Sequence, residues 1–228
     1  MPDAPAPSRK VLPARLPRSA VRATYTWIAP AHDWLAVLVE ARARRLGLSW
    51  AAVQNGEAVL EVAVGTGLSF QHLLRSNPSG RTEGIDLTPA MLRRAERRAH
   101  RIPHEGRYRL RLGDAYALDF PDGTFDLVLN SYMFDLLPEA DFVPVLQEYR
   151  RVLKPGGRLV MINMTKGERW YNELWDSLYR LHPALLGGCR GILLTPFLEK
   201  AGFSALRRTY VSQRTFPSEI LYGKKPAF

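Results

Sequence analysis

From Ala58 onward the chain alternates short apolar runs with helical patterns, and this rhythm constrains its fold more than any other feature. A strand followed by a helix and a second strand builds a parallel sheet, because the crossover returns the chain to the same end. Ala58 to Val64 is apolar except for Glu61, as expected of a central strand buried on both faces. Gly65 to Gly67 turns it into a helix. Thr82 to Ile85 is a second strand ending at Asp86. Thr88 to Ile102 is the next helix, with Thr88 as N-cap, Pro89 in the first turn, and Met91, Ala95, Ala99 and Ile102 along one face. Arg107, Arg109 and Arg111 alternate with Tyr108, Leu110 and Leu112, a period of two that suits a charged sheet edge. Phe125 to Leu129 is another buried strand, followed by a helix over Glu139 to Leu153. Lys154 to Gly157 reads as a turn into Leu159 to Ile162. A helix covers Thr195 to Ala201, and Leu206 to Val211 with Glu219 to Tyr222 form a closing pair of strands. Upstream, His32 to Leu46 reads as a helix with Trp34, Leu35, Leu38, Val39 and Leu46 as its apolar stripe and Arg42, Arg44 and Arg45 near its end.

The strongest chemical signal is VLEVAVGTGLSF, Val59 to Phe70, where a buried strand ends in glycines and leads directly into a helix. Side chains at Gly65 and Gly67 would block close approach of a nucleotide-like ligand, and glycine permits the positive φ of a tight turn. Asp86, ending the next strand, lies 19 positions beyond Gly67, near the ~20 expected for a carboxylate that accepts ribose hydroxyl bonds. Phe70 stands where a GxGxxG dinucleotide fingerprint has its third glycine, which disfavours NAD. There is no GxxxxGK[ST] phosphate loop.

At 228 residues the chain is long enough for one sizeable core. The single cysteine, Cys189, excludes an internal disulfide and a cysteine zinc cluster, and fits a reducing compartment. No apolar stretch approaches the ~18 residues of a membrane span, and the Pro-rich start lacks the apolar core of a signal peptide. The division expected is a flexible, basic, Pro-rich tail over residues 1–22 and one domain over 23–228. The net charge of +10 is concentrated: residues 1–22 carry five basic residues against Asp3, and Met91 to Arg111 holds eight arginines against Glu96 and Glu105. In the second cluster, Arg93, Arg94, Arg97, Arg98 and Arg101 fall opposite the apolar stripe and read as a solvated helix face, with a nucleic-acid patch as the alternative. The tail reads as a solvated terminus, with attraction to anionic lipid or to nucleic acid as the functional alternatives.

These motifs together resemble the class I S-adenosylmethionine-dependent methyltransferases, whose first motif is an acidic residue followed by small residues and glycines. Glu61, Ala63, Gly65 and Gly67 occupy those positions, and the resemblance continues through GIDLTPAML (Gly84 to Leu92), GDA (Gly113 to Ala115), FPDGTFDLVLNS (Phe120 to Ser131) and LKPGGRLVMIN (Leu153 to Asn163). Ala63 replaces a common glycine, as it does in the similar ubiquinone/menaquinone C-methyltransferases. The first motif also looks close to the bacterial phosphatidylethanolamine N-methyltransferases. The resemblance implies a three-layer Rossmann-like α/β fold, with a mostly parallel seven-stranded sheet and a C-terminal antiparallel strand. It implies S-adenosyl-L-methionine as cofactor, with Tyr25 in the binding set. Glu61 and the Ala63, Gly65, Thr66, Gly67 turn would hold its methionine end, and Asp86 the ribose. Leu87 and Met91 would pack near the adenosine, Asp114 and Ala115 would meet the adenine, and Asn130 and Ser131 would lie beneath the sulfonium.

For such chemistry orientation matters more than a base, and His32, Asp33, Tyr132, Asp135 and His182 are the residues to test as one; none is assigned. Trp170, Leu174, Leu178, Leu181 and Leu185 form a helical stripe flanked by Tyr171, Trp175 and Tyr179, expected as an aromatic cover over the substrate side or as plain core packing. The expected partner is a small hydrophobic or lipid-derived acceptor met at an anionic membrane surface, the protein being cytoplasmic or peripheral at the inner membrane. The rival is an RNA or other nucleic-acid methyltransferase using the basic clusters; NSYM at Asn130 to Met133 is not the [DN]PP[YF] of amino-methylating DNA enzymes and Cys189 does not lie in the PC motif of cytosine C5 enzymes, which leaves RNA open. A noncatalytic cofactor-binding module is a further alternative. The sequence sets no oligomeric state.

Overall fold

Residues 59–62 are buried on both faces of the strand they form, β1 (Ala58–Val62), because parallel neighbours flank it and helices cover both sides. The computed structural model describes residues 11–14, 38–166, 173–181 and 188–227. Six further strands complete the sheet: β2 (Arg81–Asp86), β3 (Arg107–Leu112), β4 (Phe125–Ser131), β5 (Leu153–Met164), β6 (Ser204–Gln213) and β7 (Phe216–Lys224), in the order β3-β2-β1-β4-β5-β7-β6. β1 to β5 are mutually parallel. β7 pairs antiparallel with both β5 and β6, so it alone runs against the others. The expected α/β class and C-terminal antiparallel strand are therefore found.

Two helical layers sandwich the sheet. Helix α1 (residues 38–51 of it described), α2 (Phe70–Ser76) and α3 (Pro89–Ala99) pack Ala43, Leu73, Leu74 and Ala95 against Val59, Leu127, Val160 and Ile220. On the other face α4 (Phe142–Val152) and α6 (Thr195–Lys200) pack Val145, Leu146, Tyr149 and Leu198 against Leu60, Val128, Leu159 and Leu221. One more helix, α5 (Glu173–Leu181), follows β5. The strand order turns outward in both directions from the β1–β4 pair, and such a switch point opens a crevice at the strands' C-terminal ends.

The structure shifts several expected boundaries. α1 continues to residue 51, because Gly47 lets it lie against β5: a Cβ there would sit 2.5 Å from Ile162 Cδ1. Arg42, Arg44 and Arg45 are thus mid-helix, not at its end. Thr88 caps α3 by position without a side-chain bond, and α4 begins at Phe142 after a short 3-10 turn at Glu139–Asp141. Lys154 to Gly157 forms a bulge inside β5, Phe125 pairing with Leu153 and Leu127 with Arg158. Leu112, on the apolar side of its strand's alternation, and Leu181, in the stripe expected as a cover or as core packing, are 58% and 75% exposed. β3 is a sheet edge, as its alternating arginines require.

Arg158 fastens the loop before β1 to β5. Its guanidinium bonds Glu57 at 2.6 and 2.8 Å and the Ala51 and Ala52 carbonyls at 2.6 and 3.2 Å, with both side chains largely sheltered. Arg158→Ala strands these acceptors and is expected to lower stability by about 2 kcal/mol, read as a reduced urea midpoint with unchanged slope.

Candidate functional site

Three strand ends build the floor of the crevice. After β1 the backbone passes through positive φ at Ala63 (58°), Gly65 (55°) and Gly67 (85°), so the chain coils back over the sheet before α2 begins. The Asp86 carboxylate at the end of β2 fixes this coil. Gly65 N–H donates to one of its oxygens and Thr88 N–H to the other, both at 2.8 Å, and Asp86 is 7% exposed. Asn130 near the end of β4 donates its amide to the Val62 carbonyl at 2.9 Å, tying β4 to β1. From α3, Arg98 reaches back to the Thr66 carbonyl at 2.5 Å and its hydroxyl at 3.2 Å. Arg98 is therefore a brace for the glycine turn, a correction to its reading as part of a solvated face.

Above this floor lies a cleft of about 360 Å³, a size suited to a small-molecule site. Of the residues expected at the site, Glu61, Ala63, Gly65, Thr66, Asp86, Leu87, Met91, Asp114, Ala115 and Ser131 line it. Gly67 and Asn130 do not line it. A Cβ on Gly67 would come 2.9 Å from Ala95 Cα, so its lack of a side chain serves the approach of α3, whereas a Cβ on Gly65 would meet no protein atom within 4 Å. Tyr25 lies outside the described residues.

The charged end of the cleft is formed by Glu61, Arg44 and Glu40. Burial pushes the Glu61 carboxyl well above the usual carboxylate range, Arg44 opposing this and Asp86 adding to it. Glu61 Oε2 has no hydrogen-bond partner, and neither has Ser131 Oγ. Arg44, 9% exposed, pairs with Glu40 at 2.8 Å. Sequence reasoning missed this pair; its signal was an acidic and a basic residue four apart on the inward side of an apolar helix.

An apolar and aromatic wall of the cleft is formed by Tyr116, Tyr132, Met133, Leu136, Leu137 and Pro138. It is held from behind by Arg190, 1% exposed, which donates to the carbonyls of Asp135 (2.8 Å), Leu137 (2.6 Å) and Leu12 (2.6 Å). Tyr132 sits at φ 51° with its hydroxyl 2.9 Å from Ser218 Oγ. Asp135 is fully buried behind this wall and does not line the cleft; burial raises its carboxyl to about 7, against the Met164 N–H that stabilises the ionised form. His32, Asp33 and His182 lie outside the described residues, as do Trp170, Tyr171 and Leu185. Among the described residues none of α5 lines the cleft, so the expected aromatic cover is not formed by them. Trp175 instead donates to the Thr215 carbonyl and packs on Phe216, while Tyr179 is buried and donates to the Pro13 carbonyl.

Residues 59–157 match the family model described as a methyltransferase domain. The chain is 30% identical over 188 residues to the ubiquinone/menaquinone biosynthesis C-methyltransferase UbiE of Geobacter sulfurreducens, covering 79% of this chain and 73% of that protein. It is 42% identical over 109 residues to a phosphatidylethanolamine N-methyltransferase of Cereibacter sphaeroides, covering 48% and 51%. Among solved structures the [4+2]-cyclase SpnF superposes with a TM-score of 0.74 at 20% identity, over 96% of this chain and 100% of that one, a likeness of fold.

Gly67→Ala places a methyl against the α3 backbone at a residue with φ 85°. We expect a loss of about 2–3 kcal/mol, measured by thermal or urea unfolding, whereas Ala63→Gly, which relieves a left-handed alanine, costs nothing measurable.

Proposed function

Because the chain belongs to the class I S-adenosylmethionine-dependent methyltransferases, we propose that it methylates a small hydrophobic or lipid-derived acceptor, a quinone ring carbon or a phospholipid amine. The observation that carries this reading is that one cleft is lined both by the charged Glu61, Arg44 and Asp86 and by the apolar and aromatic Tyr116, Tyr132, Met133, Leu136, Leu137 and Pro138. The relatives that act on quinones and phosphatidylethanolamine support it.

The residues present fit the cofactor, S-adenosyl-L-methionine. Glu61, buried with an unpartnered oxygen, would take the amino group and Arg44 the carboxylate of the methionine end. Asp86, clamped at the rim of the glycine turn, would accept from the ribose hydroxyls. Leu87 and Met91 would flank the adenosine, and Asp114 and Ala115 its base. Ser131 would face the sulfonium, while Asn130 holds the Val62 carbonyl behind it. Bound there, the cofactor supplies an activated methyl group. The apolar wall excludes water and holds the acceptor in line, an arrangement that can contribute about 7–11 kcal/mol. An amine acceptor need only be neutral, whereas a carbon acceptor must also lose a proton.

Incubating the protein with methyl-labelled S-adenosylmethionine and a bacterial extract, then partitioning the products, tests the acceptor. Label in the organic phase is expected; nuclease-sensitive label confined to the aqueous phase overturns the reading.

Glu61 gives a second expectation. An incoming ammonium favours the ionised carboxylate, so a group whose pKa is raised in the empty site releases a proton on binding. Affinity for S-adenosylhomocysteine should rise with pH, by up to tenfold per unit, from the ordinary carboxylate range up to the raised value. Titration calorimetry should show this slope and proton release into the buffer, and Glu61→Gln should bind more weakly and lose both.

A further inference from the structure

The outer face of the α1–α2–α3 layer carries Arg42, Arg45, Arg75, Arg93, Arg97 and Arg101, all exposed. None of these side chains makes a hydrogen bond, ion pair or ring contact with any described residue. Other arginines are engaged: Arg44 with Glu40, Arg98 with Thr66, Arg158 with Glu57, Arg208 with Glu219. The described parts of the three helices hold only two carboxylates. Glu40 is turned into the cleft, and Glu96 faces His100 at 3.2 Å. Arg93 and Arg97 stand four residues apart on one helical face, where like charges repel, as do Arg42 and Arg45 one turn apart, and Arg101 lies in the turn that follows α3. Arg75 and Arg97 lie in the last turns of α2 and α3, where the helix dipole favours cations, but no described carboxylate offsets the repulsion within the set, and an extended anionic surface would relieve it. Among the described residues of the three helices, Trp50 lies under Arg207 at 4.5 Å and Phe70 is buried, so neither offers bases a stacking platform.

We propose that this helical layer is the surface by which the protein docks on an anionic phospholipid membrane. The proposal deepens the reading of a lipid-derived acceptor and rests on it. α2 and α3 begin at the cleft, beside Leu87, which is 38% exposed on the cleft rim. A membrane against this layer therefore meets the edge of the cleft, where a lipophilic acceptor enters. Guanidinium groups within a Debye length of the lipid surface supply the attraction, which weakens with salt.

The test is flotation of the full chain with vesicles of phosphatidylcholine alone or mixed equally with phosphatidylglycerol. Two variants are compared with the parent: Arg42→Glu/Arg45→Glu/Arg93→Glu/Arg97→Glu, and one with alanine at Arg9, Lys10, Arg15 and Arg18 in the N-terminal segment. Unchanged S-adenosylhomocysteine affinity establishes that each variant is folded. Binding to anionic vesicles only, falling with salt and at least tenfold in the helix-layer variant, is the expected result. Equal binding to neutral vesicles, loss only in the N-terminal variant, or stronger arginine-dependent binding to duplex RNA overturns the proposal. Methyl transfer to a detergent-dispersed quinone or phospholipid reports on the acceptor separately, so the two readings can fail independently.

Discussion

The two hydrogen bonds accepted by the Asp86 carboxylate, from Gly65 N–H and Thr88 N–H, hold the working end of the molecule together. They join the turn after β1 to the turn after β2 and use both oxygens of one buried anion. A helical start leaves backbone N–H groups without intrahelical partners, and a coil through three positive φ angles is costly unless its surroundings fix it. Asp86 satisfies one such donor at each turn, Arg98 braces the coil from above, and Asn130 secures the adjoining end of β1. The cleft is thus shaped by backbone conformation before any ligand arrives, and the orienting power proposed for it depends on that rigidity.

The chain's arginines divide by what the fold does with them. Those facing inward replace hydration with carboxylates and carbonyls: Arg158 binds Glu57 and two carbonyls, Arg190 three carbonyls, Arg151 Glu148, Asp122 and the carbonyls of Leu118 and Phe120. They tie loops to strands where no apolar contact would specify direction. The arginines on the outer helical layer have no such partners, and their concentration there carries the charge asymmetry outward. Arg44 belongs to neither set, being buried against the cleft with its charge shared between Glu40 and Glu61.

Much of the cleft was legible because its residues sit at strand ends, and a strand end is marked in sequence by the change from apolar run to glycine or acidic residue. Gly65 and Asp86 were found this way, Glu61, Asp114 and Ser131 through the resemblance of the motifs that hold them, and all five line the cleft. Gly67 was legible as a glycine but not for its reason: the constraint is Ala95, contributed by a helix that begins after the intervening strand. Arg44 differed locally from its neighbours Arg42 and Arg45 only in having Glu40 four residues before it, and the packing of α1 over β5 decides that this pair is the one turned inward. The apolar wall from Tyr132 to Pro138 has no periodicity of its own, so nothing in its sequence marked it. The stripe in α5 was periodic, yet Trp175 and Tyr179 turn toward Thr215 and Pro13 and away from the cleft.

By itself the sequence determined the parallel α/β order, the edge position of β3, the closing pair of strands and the placement of the nucleotide-like site at the first glycine turn. Each of these follows from local period and from residue types that permit or forbid a backbone conformation. Tertiary structure alone decided which charges became internal. Whether an arginine braces a turn, lines a cleft or faces water depends on which elements from distant parts of the chain surround it, and helical period cannot encode that. Arg98 and Arg97 differ by one position in α3, and one holds the glycine turn while the other stands on the open face of the helical layer.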